Sequence, residues 1–283
     1  MAVVEAMRAN PLPVLALSPD DFELPACRRL MSEVRRVLDD RVGFVVLDRL
    51  PLDRLTPDEA VCCYWLLSRL LARPVAQKWD GTMIYDVLDT GREPGNGVRP
   101  DKTNVEQNFH TDNSYNLCPP EYVGLLCLET AMEGGISRIV SLTAAHEAMR
   151  RRHPELLPRL YEPFYFDRQR EHAPDDVKVT HHPVFESDGR RLTARNSLFQ
   201  VSNGQDLAGV PLDDAGRRAL EALEAIMNDP TMYTDFVFEC GQIQWVNNRT
   251  IGHKRTGYRD WPDRKRHLVR LWLRNAGRAF YNG

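Results

Sequence analysis

The sequence predicts a mixed α/β chain, mainly β, arranged as a double-sheet jelly roll with flanking helices and a helical insert. Three observations carry this reading. Stretches of strand length lie both before and after a helical middle section. Helices and strands do not alternate regularly, which argues against a doubly wound parallel sheet. A chain of 283 residues is also long enough for one large undivided core. Residues 1–283 are therefore read as one domain, with an N-terminal helix-and-strand decoration over about 1–75, a core over about 76–274 and an insert over about 143–230.

Taken in order, Leu24 to Asp40 reads as a helix with Leu30, Val34, Val37 and Leu38 as its apolar stripe. Gly43 ends it, and Phe44 to Leu47 follows as a short buried strand. Thr56 and Glu59 form a capping box around Pro57, so a second helix runs to about Leu71. Both helices are expected outside a sheet. Pro74 to Gln77 and Met83 to Leu88 read as strands, whereas Asp89 to Lys102, rich in Gly, Pro and charge, is expected as a mobile loop placed to act as a lid. Tyr122 to Leu128 suits a central strand, Glu133-Gly134-Gly135 a turn, and Ser137 to Leu142 a further strand. Thr143 to Arg152 and Pro154 to Tyr161 read as short helices, Phe166 to about Val179 as a polar insert, and His182 to Phe185 and Leu192 to Arg195 as weak strands. Asp213 caps a helix with Leu220, Leu223, Ile226 and Met227 on one face. Asp235 to Glu239, Gln242 to Val246 and Arg266 to Arg274 complete the strands.

Composition narrows the function. A formal charge of −3 gives no basis for broad attraction to nucleic acid or an anionic membrane, so a small-molecule substrate is expected. No run approaches a membrane span, and Met1 to Pro13 lacks the pattern of a signal peptide, so a cytoplasmic protein is expected. Six scattered cysteines form no C-x-x-C pair and are read as free thiols. A homo-oligomer is compatible with the sequence, which does not determine it.

Two stretches carry chemistry. In Phe109-His110-Thr111-Asp112-Asn113, a strand would point His110 and Asp112 to one face. With His253 from the distant Asn247 to His253 stretch, they would complete the 2-His-1-carboxylate face that holds Fe(II) with open positions. A lone His-x-Asp is otherwise a hydrogen-bonded pair. In Arg266 to Arg274, alternation puts Arg266, Arg270 and Arg274 on one face around Leu268 and Trp272. Guanidinium groups on an apolar face call for anions, unless the strand lies at an edge with its arginines in water.

Together these pieces resemble the Fe(II)/2-oxoglutarate-dependent dioxygenases of the taurine dioxygenase type. Phe109 to Asn113 matches the first ligand block, Gly134-Gly135-Ile136-Ser137 a Gly-Gly-x-Thr/Ser turn, and Gly241 to His253 the glycine-to-histidine block. Arg266 and Arg270 follow His253 at the family's spacings, and the likeness spans about Pro74 to Arg274. Gly241-Gln242 and Asn247-Asn248 depart from the family's Gly-Asp and Asp-Asn, whereas Asp112 is intact, unlike in the related halogenases. The resemblance implies a double-stranded β-helix, cupin-like core, and His110, Asp112 and His253 as catalytic Fe(II) ligands. It implies 2-oxoglutarate and O2 as cosubstrates, the C5 carboxylate held by Arg266 with Ser137, and Arg270 reaching either the C1 carboxylate or the substrate. The implied reaction is hydroxylation of an aliphatic C–H of a small amino-acid-like or carboxylate-bearing molecule, with release of succinate and CO2, in specialised metabolism. Desaturation, epoxidation or ring closure share the same chemistry. A zinc hydrolase and a non-catalytic 2-oxoglutarate-binding protein are the readings from other classes. Asn113, Tyr115, Arg255, Thr256 and Tyr258 flank the ligands and are the substrate-facing candidates, with Asn104, Gln107 and Asn203 in rim segments.

Overall fold

Period-two alternation sorts the two longest strands, Tyr122–Glu129 and His267–Leu273, into two faces. They pair antiparallel, with Val269 opposite Leu126, Leu271 opposite Gly124 and Leu273 opposite Tyr122. Tyr122, Leu126, Val269, Leu271 and Leu273 are buried against the helices Pro25–Asp40 and Pro57–Leu71. Val123 and Trp272, one residue out of phase, are buried on the other side with Phe109, Ile139, Val140 and Ile251. The computed structural model describes residues 1–93 and 99–281.

The larger sheet has six strands in the order Phe44–Leu47, Ile243–Asn247, Tyr122–Glu129, His267–Leu273, Pro74–Val75, with Tyr85–Val87 also paired to His267–Leu273. The smaller has four, in the order Tyr233–Phe236, Ser137–Ser141, Ile251–Arg255, Gln107–His110. All their pairings are antiparallel. The fold is thus mixed α/β and mainly sheet, with six α-helices among the described residues. No described helix is long and apolar enough to cross a membrane.

Most expected elements lie within a few residues of their sequence positions, and the departures have physical causes. In Pro25–Asp40 the buried stripe is Met31, Val34 and Leu38, while Leu30 is exposed. The capping box at Thr56 is made as expected, its hydroxyl accepting from Glu59 N and Glu59 accepting from Thr56 N. The insert holds two hairpins, Phe164–Asp167 with Val179–His182 and Phe185–Ser187 with Leu192–Ala194, where a polar loop and two weak strands were expected. Of the loop over Asp89 to Lys102, residues 94–98 lie outside the described residues, and Pro100–Lys102 form a 3-10 turn. The longest unanticipated elements are the helix Ala2–Ala9, the strand Ile251–Arg255 and the helix Leu198–Ala208, and Glu133–Gly134, read as a turn, pairs with the short strand Tyr258–Arg259.

Gly124 sits where the central strand meets the helical layer. A Cβ there would lie 2.3 Å from the Tyr64 hydroxyl and 2.9 Å from the Trp245 indole. Both neighbours are buried and cannot swing into solvent. We expect Gly124→Ala to destabilise the chain by about 1–3 kcal/mol, the usual result of overpacking, seen as a lower urea midpoint.

His182 supplies a pH-dependent term. Burial, then the nearby Arg195, push its imidazole down to about 4. The unfolded chain therefore takes up this proton first, and stability falls as pH drops from the ordinary value of 6.5 towards 4. We expect His182→Gln to lose less stability than the parent across that interval, measured by urea midpoints at each end.

Candidate active site

The three proposed ligands meet at the edge of the smaller sheet. His253, in Ile251–Arg255, pairs directly with His110 at the end of Gln107–His110. Asp112 lies just past that strand, in a turn, so strand alternation does not place it beside His110 as the sequence suggested. The turn does. Asp112 Oδ1 is 3.3 Å from His110 Nε2 and 3.5 Å from His253 Nε2, and one ligand atom from each residue lies within 4.8 Å of the others. Metal-ligand bonds of about 2.1 Å place neighbouring ligands of an octahedron about 3 Å apart, so this donor set fits one metal ion. His110 Nδ1 lies 2.8 Å from the Asn108 carbonyl. A carbonyl only accepts, so Nδ1 carries the proton and Nε2 keeps its lone pair for a metal.

Asp112 is 4% exposed and its partners fix both its position and its charge. Oδ2 accepts from Trp272 Nε1 at 2.6 Å and pairs with Arg270 Nη1 at 3.2 Å. Burial raises the carboxyl pKa, but Arg270 and the two histidines outweigh it and hold the group well below the usual range. Burial, followed by the charge of His110, lowers His253. Both shifts favour the forms that bind a metal, an ionised carboxylate and a neutral imidazole.

The turn itself is clamped from two remote segments. Asn248 Oδ1 accepts from Asp112 N at 2.8 Å, and its Nδ2 donates to the carbonyls of Asp112 at 3.0 Å and Pro120 at 3.1 Å. Asn196 donates through Nδ2 to Phe109 O at 2.8 Å, and its backbone exchanges bonds with Thr111. Arg195 adds bonds to the carbonyls of Ser114 and Asn116. Sequence reasoning missed Asn196, Arg195 and Trp272 as supports of the ligand turn, and had taken Asn248 only as part of a strand and turn. Only the proximity of Asn248 to His253 could have flagged one of them.

The arginines on the last strand have different fates. Arg270 is buried, bonds Gln77 Oε1 through Nε at 2.8 Å and pairs with Asp101 at 3.3 Å as well as with Asp112. Burial works against its charge, but Asp112 and Asp101 raise its pKa. Arg274 gives Nη1 and Nη2 to the backbone carbonyls of Cys118, Arg278 and Phe280, while its Nε has no partner among the described residues. Arg266 is 4% exposed, and its Nη1 has no partner among the described residues. His267, which was placed in the packing, sits partly exposed against Asp86 at 2.8 Å.

A small cavity of about 50 Å³ runs from the ligands past Ser137, Arg255 and Arg266. Gly135, in a left-handed turn at φ +67°, leaves room for Arg266: a Cβ there would lie 3.0 Å from Arg266 Nε. Arg255 and Arg266 lie over the ring of Tyr258. Arg255 Nε and Nη1, Arg266 Nη1 and the Tyr258 hydroxyl are all buried without partners among the described residues. Burial and the neighbouring Arg266 push Arg255 down to about 10, and burial lowers Arg266. Buried donors in this number call for an anion. Arg255 lines this cavity, and the ring of Tyr258 packs against its guanidinium and that of Arg266. The Thr256 hydroxyl accepts from Ile136 N at 3.0 Å.

A wider cavity of about 200 Å³ opens on the other side of the ligands, lined by Asn113, Tyr115, Arg99, Gln107, Trp272 and the start of Leu198–Ala208. The Tyr115 hydroxyl is already engaged with Tyr281, so Tyr115 offers this space only its ring. Asn104 gives its carbonyl to Tyr258 N, and Asn203 lies on the Leu198–Ala208 helix near Asp167.

The Asn248 clamp yields a direct test. Asn248→Ala removes three buried hydrogen bonds around Asp112, and orphaned buried groups cost about 1–3 kcal/mol each. We expect Fe(II) affinity to fall roughly 10–100-fold, as for other supports of a metal ligand, in anaerobic equilibrium titration.

Comparison with known proteins agrees with this geometry. Residues 9–272 match the model of the taurine catabolism dioxygenase TauD, TfdA family. FR-33289 synthase of Streptomyces rubellomurinus (strain ATCC 31215) is 25% identical over 288 residues, covering 99% of this chain and 83% of that protein. Uridine-5'-phosphate dioxygenase of an Amycolatopsis species is 30% identical over 243 residues, covering 84% of this chain and 86% of that protein. Among solved structures, asparagine oxygenase in complex with Fe(II), 2S,3S-3-hydroxyasparagine and succinate superposes with a TM-score of 0.69 at 19% identity, covering 88% of this chain and 79% of that one. The non-heme iron oxygenase OrfP in complex with Fe and alpha-ketoglutaric acid gives 0.65 at 18% identity, covering 87% and 80%. The chain belongs to the taurine catabolism dioxygenase TauD, TfdA family.

Proposed function

We propose that this dioxygenase hydroxylates an aliphatic C–H of a small polar molecule, using Fe(II), O2 and 2-oxoglutarate and releasing succinate and CO2. The observation that carries the reading is the pairing of a three-ligand metal site with a cavity of orphaned cationic donors beside it. Its two facing sheets are read as a double-stranded β-helix, cupin-like core within one domain. The likeness to uridine-5'-phosphate dioxygenase, and a fold shared with an asparagine oxygenase solved with 2S,3S-3-hydroxyasparagine and succinate, support a small polar, amino-acid-like or otherwise charged substrate.

His110, Asp112 and His253 would hold the iron by one face, which supplies the oxidising chemistry when it is bound with 2-oxoglutarate and O2. Arg266 would grip the far carboxylate of the cosubstrate as a charge-assisted pair, with Ser137 beside it as a hydroxyl donor. Arg255 adds a second cation to the same end, directly across the strand pair from Ser137. Arg270 is held by two carboxylates, so its role is to keep Asp112 ionised and aimed. The protein fixes the target carbon near the metal, and misplacing it by about 1 Å can cost on the order of a hundredfold in rate. A zinc hydrolase would leave the orphaned donors of Arg255 and Arg266 unanswered.

The test is anaerobic titration with Fe(II) and 2-oxoglutarate, followed through the weak visible charge-transfer band, and then a screen of metabolites for succinate release. We expect Asp112→Ala to abolish iron-dependent turnover. Arg266→Ala should raise the 2-oxoglutarate requirement roughly 10–100-fold, the loss of a hydrogen-bonded charge of about 1.5–3 kcal/mol. An unchanged cosubstrate requirement in Arg266→Ala sinks the assignment of that anchor.

A further inference from the structure

Two thiols lie behind the wall of the smaller cavity, outside the ligand set. Cys127 sits on Tyr122–Glu129, two residues beyond Leu125, so alternation turns it to the same face as Val123 and Leu125, which line that cavity. It is buried, packed with Tyr85, Val87, Phe238 and Leu268. Val87, Phe238 and Leu268 are themselves part of the cavity wall. Arg266 is near enough for its charge to act on the Cys127 thiol.

A turn delivers the second thiol. Gln242 N donates to Glu239 O at 3.1 Å, with Gly241 in a left-handed backbone at φ +89°. Gly241 N donates to Cys127 O at 2.8 Å and Cys127 N to Gln242 O at 2.9 Å, so two residues of the turn face one of the strand, as in a bulge. Cys240 enters that bulge and places its Sγ 4.0 Å from Glu129 Oε1. Glu129 is two residues from Cys127, on the same strand face. Both sulfurs therefore lie on one side of the strand, and the two thiols are in hydrogen-bonding contact. The turn is held in place, since Leu50 N donates to Gly241 O at 2.8 Å and a Cβ on Gly241 would lie 2.4 Å from Leu50 O.

The two cysteines have unequal surroundings. Cys240 is partly exposed, whereas burial, then Cys240, push the buried Cys127 thiol up to about 12. Exposure and thiolate character decide which sulfur an oxidant meets, so Cys240 reacts first. Its sulfur attacks one oxygen of a peroxide, the O–O bond breaks, and a sulfenic acid and one water result. Cys127 sulfur then displaces the sulfenic oxygen, which leaves with the Cys127 proton as a second water. The two thiols have given two electrons to the peroxide, and an S–S bond of about 2.05 Å replaces a contact between sulfurs. Closing to that length draws the turn at Cys240 towards the strand, and Phe238, two residues earlier in the chain, moves with it.

Resting on the reading of the smaller cavity as the 2-oxoglutarate site, we propose that Cys127 and Cys240 form a reversible, peroxide-driven disulfide that weakens cosubstrate binding by shifting the cavity wall at Phe238 and Leu268. The lever is short. Leu268 pairs directly opposite Cys127, and Arg266 stands two residues before Leu268.

The experiment treats the full chain, free of iron, with hydrogen peroxide, removes the oxidant and then loads the protein anaerobically with Fe(II). Intact mass should show the loss of two hydrogens, and digestion with fragmentation should link Cys127 to Cys240. The Kd for 2-oxoglutarate, read from the charge-transfer band, should rise roughly tenfold, within the usual range for coupled sites, and return to its starting value after dithiothreitol and reloading. Cys240→Ser, a change at a partly exposed turn, should keep the affinity of the reduced parent before and after peroxide. No link between Cys127 and Cys240, a link that leaves the Kd unchanged or lowers it, or an equal loss of affinity in peroxide-treated Cys240→Ser overturns the proposal. Absence of the band in the untreated parent sinks the oxygenase reading instead, and the link is then decided by mass alone.

Discussion

A single carboxylate governs the layout of this molecule. Asp112 is buried, and a buried charge is tolerable only where opposite charge and hydrogen bonds surround it. Its Oδ1 faces the two imidazoles, and its Oδ2 is taken by Trp272 and Arg270 from the central strand of the larger sheet. Arg270 in turn ties in Asp101 and Gln77. Thus a metal ligand in a turn of one sheet is oriented by the inner face of the other, and the cation that neutralises it reaches the segments on both sides of the loop preceding it.

That dependence explains the division of labour among the arginines. Arg270 holds charge within the protein, Arg266 and Arg255 keep theirs unanswered at the end of a narrow cavity, and Arg274 is spent on backbone carbonyls. Two guanidinium groups near one tyrosine ring would be unfavourable in an empty protein interior. A dicarboxylic acid reaching from the metal to the cavity end, as proposed above, would answer them, so that binding geometry and charge compensation would be the same device.

Much of this was legible in the sequence where local physics decides. The capping box at Thr56, the amphipathic helix after Asp213 and the apolar run from Tyr122 were read close to their positions because burial pattern and caps are local signals. His110, Asp112 and His253 were legible as residue types in an order. What failed was anything set by distant partners. Ile251–Arg255 carries Gly, His, Lys and Arg, and is a strand only because neighbours pair with it on both sides. Leu198–Ala208 contains Ser, Asn and Gly, poor helix formers, and is fixed by the Ser197 cap and by Gly204, where a Cβ would meet Tyr165 O at 2.3 Å. The expectation that strand alternation aligns His110 and Asp112 failed for the same reason, since Asn248 and Asn196 impose a turn from outside.

The register shift between His253 and Arg255 ties the two ends of the reaction space together. His253 faces His110, but Arg255 faces Gln107, so one strand sets both the metal and the cation at the far end of the smaller cavity. The stretch from Gln107 to His110 thus sets the spacing between the ligand cluster and the Arg255 guanidinium. One residue added within these four positions would shift that spacing and turn the following side chains to the opposite face, whereas the hairpins of the insert take no part in it.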